Sequence, residues 1–374
     1  MKKIIYLSIV DISKKNGQGV YALKTLESFI SQQTNKYILE IIIPRPSNLK
    51  ILDNLKFTEN EKIHFLSQKK KEKSILWHIW IQVQVLYFLC IIGKVDALIY
   101  SLKPMMLAPL LYKKCFQTNI YLLVEGLAKN TVKTITNNFF AKIGLLILQA
   151  NIKSAKKVYP AYQSAKTWID NIRKEKSSRV IYCGVDFNAF YPLKQKKTTM
   201  LTIGYVGSFR KVHLLKELLK SSKELAIQII LIGDGKEKKS IEEYCVRYPN
   251  TKVRFIGIKE QEELKNYFQE CDIMWSVTDE KHWGIPIKCF EYLACNKKVL
   301  FTKKDDFEFI EKNKFGYVLE NTNILAIKTV LEKVLCDYKH NHLKDNSNSR
   351  NYIKANNDWN KFAHIILMDI QNDS

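Results

Sequence analysis

Lys288 and Glu291 stand three residues apart, just behind Gly284 and Pro286, in the stretch WGIPIKCFEYLACNKKV from Trp283 to Val299. On a helix that spacing puts an ammonium and a carboxylate on one side, one turn apart. Gly284 and Pro286 punctuate a loop, and Ile287, Phe290, Leu293 and Ala294 then recur at helical spacing. A loop that feeds a helix N-terminus is an anion site, because free N–H groups and the helix dipole both point at the ligand. A lysine for phosphate and a carboxylate for sugar hydroxyls on that first turn describe a nucleotide site. A surface ion pair on an ordinary helix would leave the same pattern.

Three further groups could meet a charged ligand. Leu201 to Val206 reads as a strand, followed by Gly207, Ser208, Phe209, Arg210 and Lys211, then a helix through Leu214, Leu215 and Leu218. Cations at a helix N-terminus oppose the dipole, so this placement needs an anion more than it helps the helix. Near the N-terminus, the strand Ile4 to Val10 leads into the turn KKNGQG, with Gly17 and Gly19, and a helix from Val20 to Ile30. Strand, glycine loop and helix let backbone amides approach a ligand, although such a pair of glycines is more often only a turn. Glu125 closes the strand Ile120 to Val124. A carboxylate at a strand's carboxyl end fits a site, and a turn cap is the other reading.

These segments also resemble a known family. The pattern G-x-P-x-K-x-x-E-Y-x-A-C resembles the donor-site signature of GT-B glycosyltransferases, specifically glycosyltransferase family 4. The resemblance implies that Glu291 binds the ribose hydroxyls of a nucleotide-sugar, and that Gly284, Ile285 and Pro286 line the donor site. Many members carry an earlier glutamate, which here would fall at Trp283, with Glu280 out of register. The chain therefore resembles the lysine-containing form of the pattern. Asn296 stands where the family has a glycine, and it too tolerates the left-handed conformation. Val180 to Pro192, VIYCGVDFNAFYP, resembles the family's N-G-V-D-x-x-x-F-x-P segment, with Cys183 for the asparagine. Asp186 in it reads as a cap. The Gly207–Lys211 segment resembles the family's glycine–basic turn, whose arginine and lysine stabilise the leaving diphosphate. Ser208 takes the place directly after the glycine, which leaves open whether Arg210 or Lys211 does this work. Gly207 and Ser208 would contact the donor. Glu125 takes the place of a histidine or aspartate near the donor sugar, and Gly17 and Gly19 that of a glycine-rich loop.

The implied fold is α/β, GT-B, with two Rossmann-like doubly wound domains facing a central cleft. The β–α alternation supports parallel sheets independently. The N-terminal, acceptor-side domain is expected over 1–192, with a C-terminal helix over 357–374 packing back on it. The nucleotide-sugar-binding domain is expected over 193–356. At 374 residues the chain has room for both cores.

Composition bounds the partners. Lys+Arg 60 against Asp+Glu 37 gives a formal net charge of +23, which points to anionic partners: nucleic acid, a membrane face or anionic substrates. The lysines are dispersed and form no nucleic-acid motif, so no nucleic-acid partner is expected. The eight cysteines form no C-x-x-C pair, so neither a zinc site nor a disulfide framework is indicated, which fits a reducing cytoplasm. The apolar N-terminus reads as a first strand rather than a signal peptide. Ile75 to Ile92 is long and apolar, with Trp77, Trp80 and Tyr87, and follows KKKEK at 69–73. It reads as a buried, half-buried or interfacial helix rather than a membrane span. His340 to Ser349 is polar and reads as a loose loop.

The function implied is a retaining hexosyltransferase of the family 4 type. It would move sugar from a UDP- or GDP-sugar to a lipid-linked or saccharide acceptor in surface polysaccharide biosynthesis, such as lipopolysaccharide O-antigen or capsule. Lys288, with Arg210 or Lys211 and Glu125, would form the catalytic set. The resemblance implies no metal and no cofactor beyond the nucleotide-sugar substrate. A cytoplasmic protein, peripheral on the anionic inner membrane face, is expected. A non-hydrolysing nucleotide-sugar 2-epimerase and a non-catalytic nucleotide-sugar-binding partner subunit are the alternatives.

Overall fold

The structure is a computed structural model describing residues 1–14, 16–32, 36–67, 75–126, 138–174, 178–196, 198–248, 252–280, 282, 284–343 and 346–373. The KKKEK segment and Trp283 lie outside the described residues. The chain divides into two compact units, Met1–Cys183 with Trp359–Ser374, and Gly184–Asp358. The terminal helix Trp359–Asn372 thus belongs with the first unit. The linker does not: residues 184–192 belong to the second unit. Phe190 stacks on Phe268, and Arg350 donates to the carbonyls of Phe187, Phe190 and Ala294.

The first unit holds β1 (Lys2–Leu7), β2 (Tyr37–Pro44), β3 (Glu61–Leu66), β4 (Ala97–Ser101), β5 (Asn119–Val124) and β6 (Lys157–Pro160). They form one 6-stranded sheet in the order β3-β2-β1-β4-β5-β6, every pair parallel. Parallel strands covered by helices on both faces read as continuous apolar runs rather than alternations, and β1, β2 and β5 are such runs. On one face Leu7, Tyr100, Leu122 and Val124 pack with Trp77, Ile81, Val85 and Leu89 of the helix Ile75–Ile92. On the other, Tyr6 meets Phe29 of the helix Gly17–Ser31, and Tyr21 meets Trp359 and Phe362 of the terminal helix.

The second unit repeats the plan with β7 (Leu201–Val206), β8 (Ile227–Ile232), β9 (Lys252–Gly257), β10 (Ile273–Trp275), β11 (Lys298–Thr302) and β12 (Gly316–Leu319). Its 6-stranded parallel sheet runs β12-β11-β10-β7-β8-β9. In both sheets the strand order reverses direction, beside β1 and β4 in one and β7 and β10 in the other. Open α/β sheets bind ligands at the carboxyl ends of strands at such a switch point.

Several expected elements differ. Gly17 and Gly19 are not in a loop: Asn16 caps a helix that starts at Gly17, accepting from Gly19 N. A side chain at position 19 would strike Lys14 O, so the residue serves close backbone approach. After β7 comes a 3₁₀ turn, Lys211–His213, and Leu214 in the left-handed region before the helix Leu215–Ser222. Arg210 therefore precedes and Lys211 opens a tight turn, not an α-helical N-terminus, so no helix dipole opposes them there. The polar stretch near 347 is a helix, Ser347–Asn356, held by Ser349 Oγ donating to Leu293 O and by Arg350.

The turns after β7 and β8 touch backbone to backbone. Gly233 has φ +130, and a Cβ there would lie 2.0 Å from Gly207 O. Gly233→Ala should therefore destabilise the protein by about 2–4 kcal/mol, seen as a lower urea midpoint. An unchanged midpoint would mean the two turns can part freely.

Candidate nucleotide site in the second unit

The switch point between β7 and β10 gathers most of the predicted residues. β10 ends in a loop through Asp279, His282 and Gly284 that feeds the helix Ile287–Ala294. Pro286 is its N-cap and offers no side-chain acceptor, so the first-turn amides have no side-chain cap. Asn296 ends the motif with φ 58, left-handed as expected.

Tyr292 fixes the helix to β7. Its hydroxyl accepts from Val206 N at 2.9 Å and donates to Val206 O at 3.2 Å. Glu291, the neighbouring residue, is 2 % exposed. Lys288 Nζ lies 2.7 Å from Glu291 Oε2, the pairing expected from their spacing. The contact is an ion pair without hydrogen-bond alignment, since Oε2 forms no aligned hydrogen bond. The ammonium also lies 5.7 Å from the centre of the Phe190 ring. Lys288 is half-buried and covers a carboxylate that is otherwise shut from water.

The approach loop is held from β11. Lys304 Nζ donates to Thr278 Oγ1 at 3.0 Å, Asp279 O at 2.6 Å and His282 O at 2.8 Å. Burial lowers the Lys304 pKa, opposed by Asp279, Asp306 and Glu280. Asp306 Oδ2 accepts from Gly284 N at 3.3 Å. Two bonds tie this loop to the one after β7: Asp279 N donates to Val212 O, and Trp275 Nε1 donates to His213 O, both at 2.8 Å.

Gly207 leaves β7 with its N–H on Ile232 O, and Phe209 is buried while Ser208, Arg210 and Lys211 are exposed. Arg210 and Lys211 line a shallow cavity with Lys216, Glu217 and Glu237. Their surroundings distinguish them. Arg210 lies close enough to Tyr205, His213 and His282 to act on their ionisation, and Lys211 does not act on these three groups. Burial pushes His213 down to about 4, helped by His282 and Arg210. Burial also lowers His282, followed by Lys304.

The remaining predicted residues lie in the first unit. Glu125 follows β5, and its Oε2 sits 3.0 Å from Lys103 Nζ, beyond the end of β4. It is an ion-paired carboxylate rather than a turn cap. Its Oε1 is buried with no partner among the described residues. Burial, and then Glu125, pushes the Cys183 thiol up to about 12. Gly17 and Gly19 begin the helix after β1. Asp186 caps a turn at 187–189 rather than a helix, accepting from Asn188 N and Ala189 N.

Tyr292, Lys304, Asp306, His213 and His282 were missed as site residues. Tyr292 and His282 were visible beside the motif and His213 beside Arg210, but Lys304 and Asp306 are brought in by the turn after β11.

The chain is similar to known proteins in the sequence of its second unit and in its fold. Residues 188–355, nearly all of the second unit and under half of the chain, match the family model for glycosyl transferases group 1. An uncharacterized glycosyltransferase of Methanocaldococcus jannaschii is 26% identical over 132 residues, 35% of this chain and 36% of that protein. The chain thus matches only about a third of that relative's length. Among solved structures, sucrose-phosphate synthase from Thermosynechococcus elongatus superimposes with TM-score 0.79 at 16% identity, over 100% of this chain and 99% of that one. HepE of Anabaena in complex with UDP and glucose gives 0.73 at 12%, over 99% and 100%. WaaG, a glycosyltransferase involved in lipopolysaccharide biosynthesis, gives 0.70 at 12%, over 97% and 99%. The fold is GT-B, and the second unit carries a glycosyl transferases group 1 domain.

The histidines make a stability prediction. Above about pH 6.5 both rings are neutral, folded or unfolded, and contribute nothing. Below it the unfolded chain binds protons that the folded chain resists, so stability falls until His213 titrates at about 4. His213→Phe should lose less melting temperature than the natural protein across that range. Equal losses would show that His213 is as hydrated folded as unfolded.

Proposed function

We propose that the protein is a retaining glycosyltransferase that takes a UDP- or GDP-sugar donor at the second unit's switch point. The observation that carries this reading is the Lys288–Glu291 pair, 2.7 Å apart, at a helix N-terminus without a side-chain cap. Phosphate would occupy the place of the missing cap, and Lys288 would turn from the carboxylate to the diphosphate. Glu291, released, would accept hydrogen bonds from the ribose hydroxyls. Arg210, beside the histidine pair, is better placed than Lys211 to assist. Gly207, Ser208, Gly284 and Ile285 would present backbone to the donor.

Catalysis would come from cations aimed at charge that grows on the leaving diphosphate. The family resemblance adds that the acceptor proton passes to that phosphate on the same face, which retains configuration. The HepE complex with UDP and glucose supports a nucleotide-sugar donor. The WaaG likeness supports an acceptor in surface polysaccharide assembly. Incubation with UDP- and GDP-sugars and saccharide acceptors tests the reading. It expects nucleoside diphosphate release that depends on acceptor, with the anomer retained by NMR. A new sugar nucleotide would identify an epimerase instead, and binding without turnover a non-catalytic subunit.

Two substitutions should separate the roles. Lys288→Ala should lower kcat by about a hundredfold with a smaller change in donor affinity, because its partner charge develops in the transition state. A change confined to KM would make it a ground-state contact. Glu291→Gln should weaken donor binding by about 1.5–3 kcal/mol. Unchanged affinity in a folded variant would remove the ribose role.

The lipid-linked acceptor is proposed together with a docking surface. The helix Ile75–Ile92 is apolar except for His78, Gln82 and Gln84. It buries Trp77, Ile81, Val85 and Leu89 but exposes Leu76, Ile79, Trp80, Val83, Tyr87 and Ile91. No helix among the described residues is long and apolar enough to cross a membrane. An exposed apolar stripe on a chain of net charge +23 suits the surface of an anionic bilayer. Sedimentation with anionic vesicles should exceed that with neutral ones, fall with salt, and fall again in Trp80→Glu. Equal binding to both lipids, or to neither, would refute the docking.

A further inference from the structure

His213 and His282 have no part in the chemistry above, yet they stand inside the two loops that would hold the diphosphate. His213 closes the turn after Arg210, and His282 lies two residues before Gly284. Their rings meet edge to face, 6.2 Å between centroids. Tyr205 of β7 faces His213 at 5.6 Å. The charged groups around the pair are Arg210 from the β7 loop, Asp279 from the β10 loop and Lys304 from the turn after β11, with Asp306 and Glu280 beyond Lys304. The backbone here is fixed by the bonds to His213 O and His282 O. Neither ring has a hydrogen-bond partner among the described residues.

The pair is therefore positioned firmly while its nitrogens stay available. Burial resists a proton on either ring, Arg210 adds to that resistance at both, and Lys304 adds to it at His282. A diphosphate between the loops reverses the balance. Two negative charges would offset the cations, and a ring that was costly to charge would become favourable to charge.

We infer that His213 and His282 form a proton-linked part of the nucleotide site: a nucleotide-sugar diphosphate bound there draws a proton from solvent onto the imidazole pair, which then helps to hold it. This rests on the donor assignment proposed above. The proton leaves the buffer and stays on a ring nitrogen for as long as the anion is bound.

Titration calorimetry with UDP-glucose and GDP-mannose tests the inference. A terminal phosphate ionises near pH 6, but these diphosphates are esterified at both ends and carry no such proton. Any proton uptake near neutrality then belongs to the protein. Measured near pH 6 in buffers of different ionisation heat, binding should take up a fraction of a proton, at most about one from the pair. Affinity should rise several-fold from about pH 8 to about pH 6. His213→Asn and His282→Asn should each reduce the uptake and flatten that rise. No uptake by the natural protein overturns the inference and leaves the donor assignment standing, and this decides the matter even if both variants unfold. Uptake unchanged in both folded variants also overturns it. A chain that binds neither nucleotide-sugar at any pH overturns the donor assignment and this inference together.

Discussion

The hydroxyl of Tyr292 holds the second unit's site together. By bonding both the N–H and the carbonyl of Val206, it pins the helix Ile287–Ala294 to the end of β7. Two segments about eighty residues apart are thereby locked in register, and Glu291, the next side chain, is turned toward Lys288. A buried phenol with donor and acceptor both satisfied is a strong positional constraint, because leaving either group unpaired would be costly. The loops that precede these segments inherit that fixed spacing. Lys304 and Asp306 then set the path of the second loop, and Gly207 against Gly233 sets the path of the first.

The strands and their parallel arrangement were largely legible, because a strand covered on both sides must be apolar throughout. Leu201–Val206 and Ile227–Ile232 are runs of that kind, and the motif helix declared itself through helical spacing behind Gly284 and Pro286. What escaped was what distant contacts decide. His340 to Ser349 is polar and reads as loose, yet its last residues open the helix Ser347–Asn356, which Arg350 holds by reaching the carbonyls of Phe187, Phe190 and Ala294. The same contacts draw residues 184–192 into the second unit. Lys304 looks like any surface lysine until three oxygens of a remote loop surround it. Glycines at 17 and 19 suggested a loop, whereas Asn16 turns them into the first turn of a helix.

The two units share a plan and differ in what they place at the switch point. The second gathers cations and a carboxylate at a helix start without a side-chain cap. The first places Glu125 against Lys103, a nearly neutral pair with one buried oxygen left over. A site for an anion and a site for hydroxyls would differ in this way, since only the first requires an excess of positive charge. The outer stripe of the helix Ile75–Ile92 has no counterpart in either function: its apolar side chains exceed what the first core can cover.

In the proposed function the loops around 207–214 and 278–291 bind the donor. Hydrogen exchange measured with and without a nucleotide-sugar tests it most directly, because it reports on every backbone amide without requiring an acceptor. Donor binding there should slow exchange in both loops and in the first turn of the helix Ile287–Ala294, with β8 and β9 unaffected in their centres. Bound nucleotide-sugar that leaves those two loops unprotected, or protects only the first unit, would contradict it.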